Sequence, residues 1–283
     1  MTHLPDARPD IAAEADTLRA WLDDFRRVFV LTGAGVSTGS GIPDYRDAGG
    51  EWKRPPPITY QALIGDSATY RRYWARSFVG WPGFSSAQPN AAHRALAAFE
   101  STDRCTALVT QNVDALHQRA GSRVVIDLHG RLDRVVCLGC GEDSARDALQ
   151  TRMHGSNIGW RPRDTAAAPD GDADIDAAAV EKFAPPHCEV CGGLLKPDVV
   201  FFGENVPRAR YAQAVAALEA AEAMLVVGSS LMVYSGFRFA RMAKERGLPL
   251  AVLNRGRTRA DALVDLKLQG ECGAVLAAAF ERD

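Results

Sequence analysis

Two pairs of cysteines, Cys137-Leu-Gly-Cys140 and Cys188-Glu-Val-Cys191, carry the most specific chemistry in this chain of 283 residues. Each C-x-x-C pair can place two thiolates on one metal ion, and Gly141 and Gly192–Gly193 allow the turn that follows each pair. Four sulfurs make a closed tetrahedral site, so one structural Zn2+ per chain is expected, held by Cys137, Cys140, Cys188 and Cys191. With no open coordination position, such an ion contributes folding free energy rather than chemistry. A redox C-x-x-C is the alternative, and two matched copies argue against it. His187 stands next to the second pair as an occasional ligand. Zinc ribbons also bind nucleic acid, but the segment between the pairs is acidic and poor in aromatics, so no direct nucleic-acid binding is expected.

A second set of reactive types closes a series of short apolar runs. "VFVLTGAG" ends at Gly33-Ala34-Gly35, "CTALVTQNVD" at Thr110–Asp114 and "VVIDLHG" at His129 and Gly130. "AMLVVGSSL" ends at Gly228–Ser230, and "LAVLNRG" at Asn254–Gly256. A G-x-G after a strand lets the backbone approach a pyrophosphate closely, although a tight turn with no ligand remains open. The dehydrogenase fingerprint G-x-G-x-x-G/A fails at Thr38, and no acidic strand end follows about 20 positions later to hold a ribose. Instead Pro43 introduces Asp44, Tyr45 and Arg46, a carboxylate and a bidentate phosphate binder, or else a surface ion pair. His129 has a side chain that takes and returns a proton near neutrality, or one that caps a strand end through a backbone carbonyl. His117 reads as structural and His93 as packed in its helix. Of the remaining cysteines, Cys105 starts a buried strand.

The elements that position these residues follow from periodicity. Residues 10–27 read as an amphipathic helix on Ile11, Ala15, Leu18, Leu22 and Phe25. The short apolar runs lack alternation, as expected of strands buried on both faces of a parallel sheet. Helical segments around Ala91–Glu100, Ala209–Ala221 and Gly236–Arg246 separate them. Strands alternating with helices predict an α/β fold, a Rossmann-like doubly wound parallel sheet, with ligands beyond the carboxyl ends of the strands. Residues 1–46, 91–136 and 194–283 form this expected domain. Residues 47–90, with three of the five tryptophans, are too aromatic for a linker and read as a helical cover segment. Residues 137–193 form a zinc-binding module whose Ala/Asp stretch, "RDTAAAPDGDADIDAAA", reads as a mobile surface loop. No internal repeat is present.

Bulk properties exclude other classes. Formal net charge is -2 and the pI about 6.3, so no global basic field points to nucleic acid or an acidic membrane. The N-terminus lacks the basic and apolar regions of a signal peptide, and no run approaches the roughly 18 apolar residues that span a bilayer. A cytoplasmic protein with reduced thiols is expected.

Together these segments resemble the sirtuin family of NAD-dependent protein deacylases, over approximately residues 25–280. "GAGVSTGSGIPDYR" resembles the family's NAD signature, "TQNVDALH" its ribose and nicotinamide motif and "LHG" its catalytic histidine segment. The cysteine pairs, "LKPDVVFFGE", "GSSL" and "NRG" follow in the family's order, and "EWKRPPPITYQ" with the long insert resembles the second, mitochondrial and bacterial, subclass. The tyrosine–arginine pair of the desuccinylase subclass is not evident.

The resemblance implies a lysine deacylase that cleaves NAD to nicotinamide and transfers the acyl group to ADP-ribose. The acyl oxygen would attack C1′ of the ribose to give an alkylimidate, and His129 would then act as base on the ribose hydroxyls. Asn112 and Asp114 would serve catalysis and, with Gln111 and Val113, hold the nicotinamide ribose and carboxamide. Gly33, Ala34, Gly35, Asp44, Tyr45 and Arg46 would meet the phosphates and the loop beside them. Gly228, Ser229, Ser230, Asn254, Arg255, Gly256 and Cys272 would take the adenosine half. Val199, Val200, Phe201, Phe202, Gly203 and Glu204 would line the acyl-lysine channel and receive the peptide as an added strand. The implied partners are acylated lysines in proteins or peptides, with no membrane. Protein ADP-ribosyl transfer and a lipoamidase-type deacylation stay open on the same site. A hydride-transferring oxidoreductase and an NAD or ADP-ribose sensor fit less well.

Overall fold

The computed structural model describes residues 9–53, 57–162, 171–173 and 175–280. The chain opens on α1 (Ile11–Asp23), whose first backbone N–H groups, from Ala12 and Ala13, are accepted by the Asp10 carboxylate at 3.0 and 3.2 Å. The helix stops at Asp23, short of the expected residue 27, and Phe25 packs in the turn that leads to β1 (Val28–Thr32).

The remaining strands of the main sheet are β2 (Cys105–Thr110), β3 (Val125–Asp127), β7 (Ala223–Val227), β8 (Leu250–Leu253) and β9 (Leu266–Leu268). They run parallel in the order β3-β2-β1-β7-β8-β9. Val28 and Val30 of β1 pack into one core with α1, α4 (Ala91–Glu100) and α10 (Cys272–Phe280). Phe29 and Leu31 pack into another with α8 (Arg208–Glu219) and α9 (Tyr234–Glu245). Both faces are therefore covered, which is why the strands read as unbroken apolar runs. The five sequence-predicted strands are present. The sixth, β9, was not anticipated, because three residues, Leu-Lys-Leu, give too short a signal.

Chain order reverses between β1 and β7, and ligand crevices of doubly wound sheets open at such a point. Residues 34–36 and 38–40 form two short 3-10 turns rather than an α-helix. The cover segment contributes α2 (Tyr60–Gly65) and α3 (Ser67–Ser86). Trp74 of α3 is fully buried and Trp81 nearly so.

A second sheet, antiparallel, was not anticipated. It is formed by β4 (Gly130–Cys137), β5 (Asp143–Ala145) and β6 (Leu195–Val199) in the order β5-β4-β6, beside α6 (Arg146–Ser156) and α7 (Ala177–Glu181). Residues 130–136 and 195–199, grouped by sequence with the parallel sheet, pair here instead.

Of the Ala/Asp stretch expected to be a mobile loop, residues 163–170 and 174 lie outside the described residues, as do 54–56 of the proline-rich segment and 1–8 of the N-terminus. Residues 171–173 are buried, with Ala173 donating to the Arg76 carbonyl at 3.2 Å, and 177–179 begin α7, so these are not surface loop. Gly80 of α3 has no room for a Cβ, which would lie 2.4 Å from the Gly171 oxygen. Among the described residues no helix is long and apolar enough to cross a membrane.

Candidate active site

A cavity of about 720 Å³ opens at the reversal of strand order, a size usual for small-molecule sites. It is lined by Gly33–Gly35, Asp44–Arg46, Gln111–Asp114, His129, Val199–Glu204, Gly228–Ser230, Asn254 and Arg255. The expected site residues thus converge, with two exceptions. Gly256, at φ +77°, packs its Cα against the Ala48 carbonyl, where a Cβ would lie 2.4 Å from the oxygen. Cys272 is buried at the start of α10, and burial pushes its thiol up to about 12. Neither lines the cavity.

The glycines of the first turn have a packing duty. A Cβ on Gly33 would lie 2.7 Å from Ser229 Cβ, and one on Gly35 would lie 2.9 Å from the Gly228 oxygen. Gly228 itself sits at φ +60° against the Val36 nitrogen. The ends of β1 and β7 are thus in backbone contact at the crevice floor. Beside them, the Arg46 guanidinium lies 4.0 Å over the Trp52 ring and donates to the Gly50 carbonyl at 2.7 Å. Asp44 pairs with Lys53, not with Arg46.

The loop after β2 forms a polar network. Gln111 Nε2 donates to Ser229 Oγ at 2.8 Å and to the Thr32 carbonyl at 3.1 Å. Asn112 Nδ2 donates to Ser37 Oγ at 3.0 Å, and Ser37 Oγ donates to Asp114 Oδ2 at 2.7 Å. Burial raises the Asp114 carboxyl above its usual range, while the Leu116 N–H and the Ser37 hydroxyl oppose that rise. Below the network sit two neutral histidines with rings 4.8 Å apart. His93 Nδ1 accepts from the Asn90 N–H at the start of α4, and His117 bonds Thr32 Oγ1 at 3.0 Å. Burial pushes His93 down to about 4 and His117 well below its ordinary value. Both are buried, and neither lines the cavity.

His129 stands two residues beyond the end of β3. Its Nδ1 lies 3.0 Å from the Gln111 carbonyl, which can only accept, so Nδ1 carries the proton and Nε2 the lone pair. Nε2 meets Ser235 Oγ at 2.7 Å. Burial, with Arg238 adding its charge, pushes the imidazole down to about 4 against the pull of the Gln111 carbonyl. The ring is therefore neutral at physiological pH, with a basic nitrogen in the cavity wall.

An adjoining wall comes from the segment leaving β6. Phe201 packs edge-on to Tyr73 at 5.4 Å, and Phe202 to Trp52 at 5.7 Å. The Glu204 carboxylate accepts from the Phe201 N–H at 3.0 Å and from the buried Lys196 ammonium at 3.1 Å. It braces this wall. Sequence reasoning missed Ser37, Lys196, Ser235 and Arg238. Ser37 stood inside the glycine stretch and could have been found there. Ser235 and Arg238 lie one turn apart on α9 and gave no signal before the helix face was known.

The four cysteine sulfurs lie within 4.8 Å of one another, with Cys137 to Cys191 at 3.5 Å and Cys140 to Cys188 at 3.7 Å. Sulfurs about 2.3 Å from one tetrahedral Zn2+ are roughly 3.8 Å apart, so the set fits zinc. Gly141 and Gly192, at φ +78° and +73°, make the turns expected after each pair. His187 is outside the set, its ring 5.7 Å from that of Tyr70.

The family model described as "Sir2 family" matches residues 33–235. A protein of Xanthomonas axonopodis pv. citri (strain 306), named "NAD-dependent protein deacetylase", is 59% identical over 266 residues, covering 94% of this chain and 91% of its own. One of Streptomyces coelicolor, "NAD-dependent protein deacetylase 1", is 48% identical over 279 residues, 99% of this chain and 92% of its own. Among solved structures, that described as "Sir2-p53 peptide-NAD+" superposes with a TM-score of 0.74 at 28% identity, covering 92% of this chain and 94% of that one.

Proposed function

The chain belongs to the Sir2 family, and on that premise we propose that it is an NAD-dependent protein lysine deacylase of the deacetylase kind. It cleaves NAD to nicotinamide and transfers the acyl group from lysine to ADP-ribose. The observation that carries this reading is His129, neutral and fixed as the Nδ1–H tautomer, in the wall of the cavity that Gln111, Asn112 and Asp114 also line.

Each residue's part follows from its surroundings. Asn112 and Asp114, joined through Ser37, orient the nicotinamide ribose and carboxamide, and the Asp114 carboxylate stabilises positive charge developing at the ribose carbon. Gln111, clamped by Ser229 and Thr32, faces the ribose hydroxyls. His129 Nε2 takes the proton from one of those hydroxyls as its oxygen attacks the activated acyl carbon. Arg46 and the backbone of Gly33–Gly35 meet the phosphates, and Ser229, Ser230, Asn254 and Arg255 the adenosine half. Val199–Glu204 line the channel for the acylated lysine, with the peptide lying along this wall as an extended strand. Zinc on Cys137, Cys140, Cys188 and Cys191 cross-links the small sheet and leaves no position for substrate. Thiols of this kind stay reduced in the cytoplasm, where the protein is expected to act.

Incubation with NAD and an acetyl-lysine peptide tests the proposal. Release of nicotinamide together with deacetylated peptide and O-acetyl-ADP-ribose is expected. Intact NAD across a panel of acyl-lysine peptides, or the absorbance of reduced cofactor, would refute it.

A further inference from the structure

We propose that Ser235 is a positioning residue for the base: its hydroxyl holds the Nε2 lone pair of His129 in the reactive direction until a ribose hydroxyl replaces it. This rests on the reading of His129 as general base. The Gln111 carbonyl fixes the proton on Nδ1, so the partner of Nε2 must donate, and the Ser235 hydroxyl at 2.7 Å does so.

The placement of Ser235 is itself enforced. It stands in the first turn of α9, and that turn approaches Gln111 so closely that a Cβ on Gly236 would lie 2.3 Å from Gln111 Oε1. Gln111 cannot retreat, since its amide is bonded to Ser229 and to the Thr32 carbonyl. The contacts close a circuit. The Gln111 carbonyl holds one side of the imidazole, Ser235 holds the other, and Gly236 seats the turn that carries Ser235 back against the Gln111 side chain. Ser235 is the second residue of α9, beyond the N-cap position at Val233. No side chain caps this helix, and the Ser235 hydroxyl goes to the imidazole instead.

The arrangement suits a base that must be aimed without being blocked. A ribose hydroxyl arriving at Nε2 exchanges one neutral O–H donor for another, so the exchange is close to isoenergetic. Before it arrives, the ring is anchored at both nitrogens and cannot turn about its χ angles.

Full-length, zinc-loaded Ser235→Ala and Ser235→Thr proteins test this. Nicotinamide exchange into NAD reports the step before the base acts, and formation of deacylated peptide reports the step that needs it. Ser235→Ala should lower kcat for deacylation about fivefold to tenfold, the worth of one net hydrogen bond, while exchange and KM for NAD stay within about twofold. Ser235→Thr should restore kcat. In 15N spectra of the ligand-free protein, the His129 Nε2 resonance should move toward that of an unbonded acceptor in Ser235→Ala and return in Ser235→Thr. An unmoved resonance, or equal loss of exchange and deacylation, would overturn the role. Wild-type protein that releases no nicotinamide would instead refute the deacylase reading, and the 15N comparison would still decide whether Ser235 holds His129.

Discussion

Acidification from pH 8 to pH 5.5 should destabilise the fold well before its carboxylates titrate. His93 is fully buried, His117 nearly so, and His129 lies in the cavity wall. All three are held below the ordinary value of 6.5, His93 and His129 down to about 4. Unfolding releases each to an ordinary value, so between about pH 4 and 6.5 the unfolded chain binds more protons and stability falls as pH falls. At pH 5.5 a histidine moved from 6.5 to about 4, as His93 is, costs on the order of 1 kcal/mol relative to pH 8. His117 and His129 add to this loss in the same direction. Asp114 and Asp127, raised by burial, gain protons in the folded state first and offset part of this loss toward the acid end. Urea unfolding of the metal-loaded protein at pH 8, 7, 6.5, 6 and 5.5 measures the slope. His93→Gln and His117→Gln should each flatten it, His93→Gln by on the order of 1 kcal/mol, whatever they do to stability at pH 8. A wild-type curve flat from pH 8 to 5.5 would refute the argument that these rings are buried neutral.

The site makes further predictions. His129→Ala should cut deacylation by at least about 100-fold while calorimetry still detects NAD binding; lost binding would give His129 a role in holding the dinucleotide. The rate constant kcat/KM should hold steady as pH falls through 6.5, because His129 stays unprotonated until about pH 4; an acid limb centred near 6.5 would contradict that. Gly35→Ala puts a Cβ 2.9 Å from the Gly228 oxygen and should lower stability by about 2 kcal/mol in denaturant titration; an unchanged midpoint would remove the packing explanation for this glycine. Cys188→Ser should reduce bound zinc below one per chain by elemental analysis and lower Tm; full zinc occupancy on three sulfurs would contradict the four-cysteine site.

The sequence made the main sheet legible because parallel strands buried on both faces are unbroken apolar runs that stop abruptly at polar residues. The small sheet was hidden for the opposite reason. β4 reads Gly-Arg-Leu-Asp-Arg before its valines, and β6 contains Lys196, Pro197 and Asp198, none of them strand-forming by composition. Lys196 is tolerated there only because Glu204 and the Val199 carbonyl take its ammonium. Gly33 and Gly35 read only as room left for a phosphate, whereas their missing Cβ atoms also make room for Gly228 and Ser229. That distinction depends on a strand almost 200 residues away in the chain, and no local pattern encodes it. The link from Asn112 through Ser37 to Asp114 is of the same kind, since each residue was visible and only the fold joins them.

That second sheet also connects the cysteine site to the residues proposed for catalysis. β4 begins at Gly130, directly after His129, and ends on the zinc ligand Cys137. β6 begins shortly after Cys191 and ends at Val199, where the channel wall starts. The two strands pair at both ends across an irregularity between Arg131 and Val135, and they approach so closely that a Cβ on Gly130 would lie 1.9 Å from the Asp198 oxygen. The Val200 N–H then donates to the His129 carbonyl at 2.8 Å, tying the wall to the base. Zinc on the four cysteines would therefore anchor one end of a strand pair whose other end sets the distance between His129 and Val199–Glu204, the wall proposed for the acyl-lysine. The side proposed for the phosphates and adenosine is built on β1, β7 and β8, which do not pair with that sheet. Loss of zinc should accordingly weaken acyl-peptide binding and deacylation more than NAD binding. Calorimetry with each ligand on zinc-depleted protein separates the two, and an equal loss of both would mean that the sheets do not transmit the metal's effect selectively.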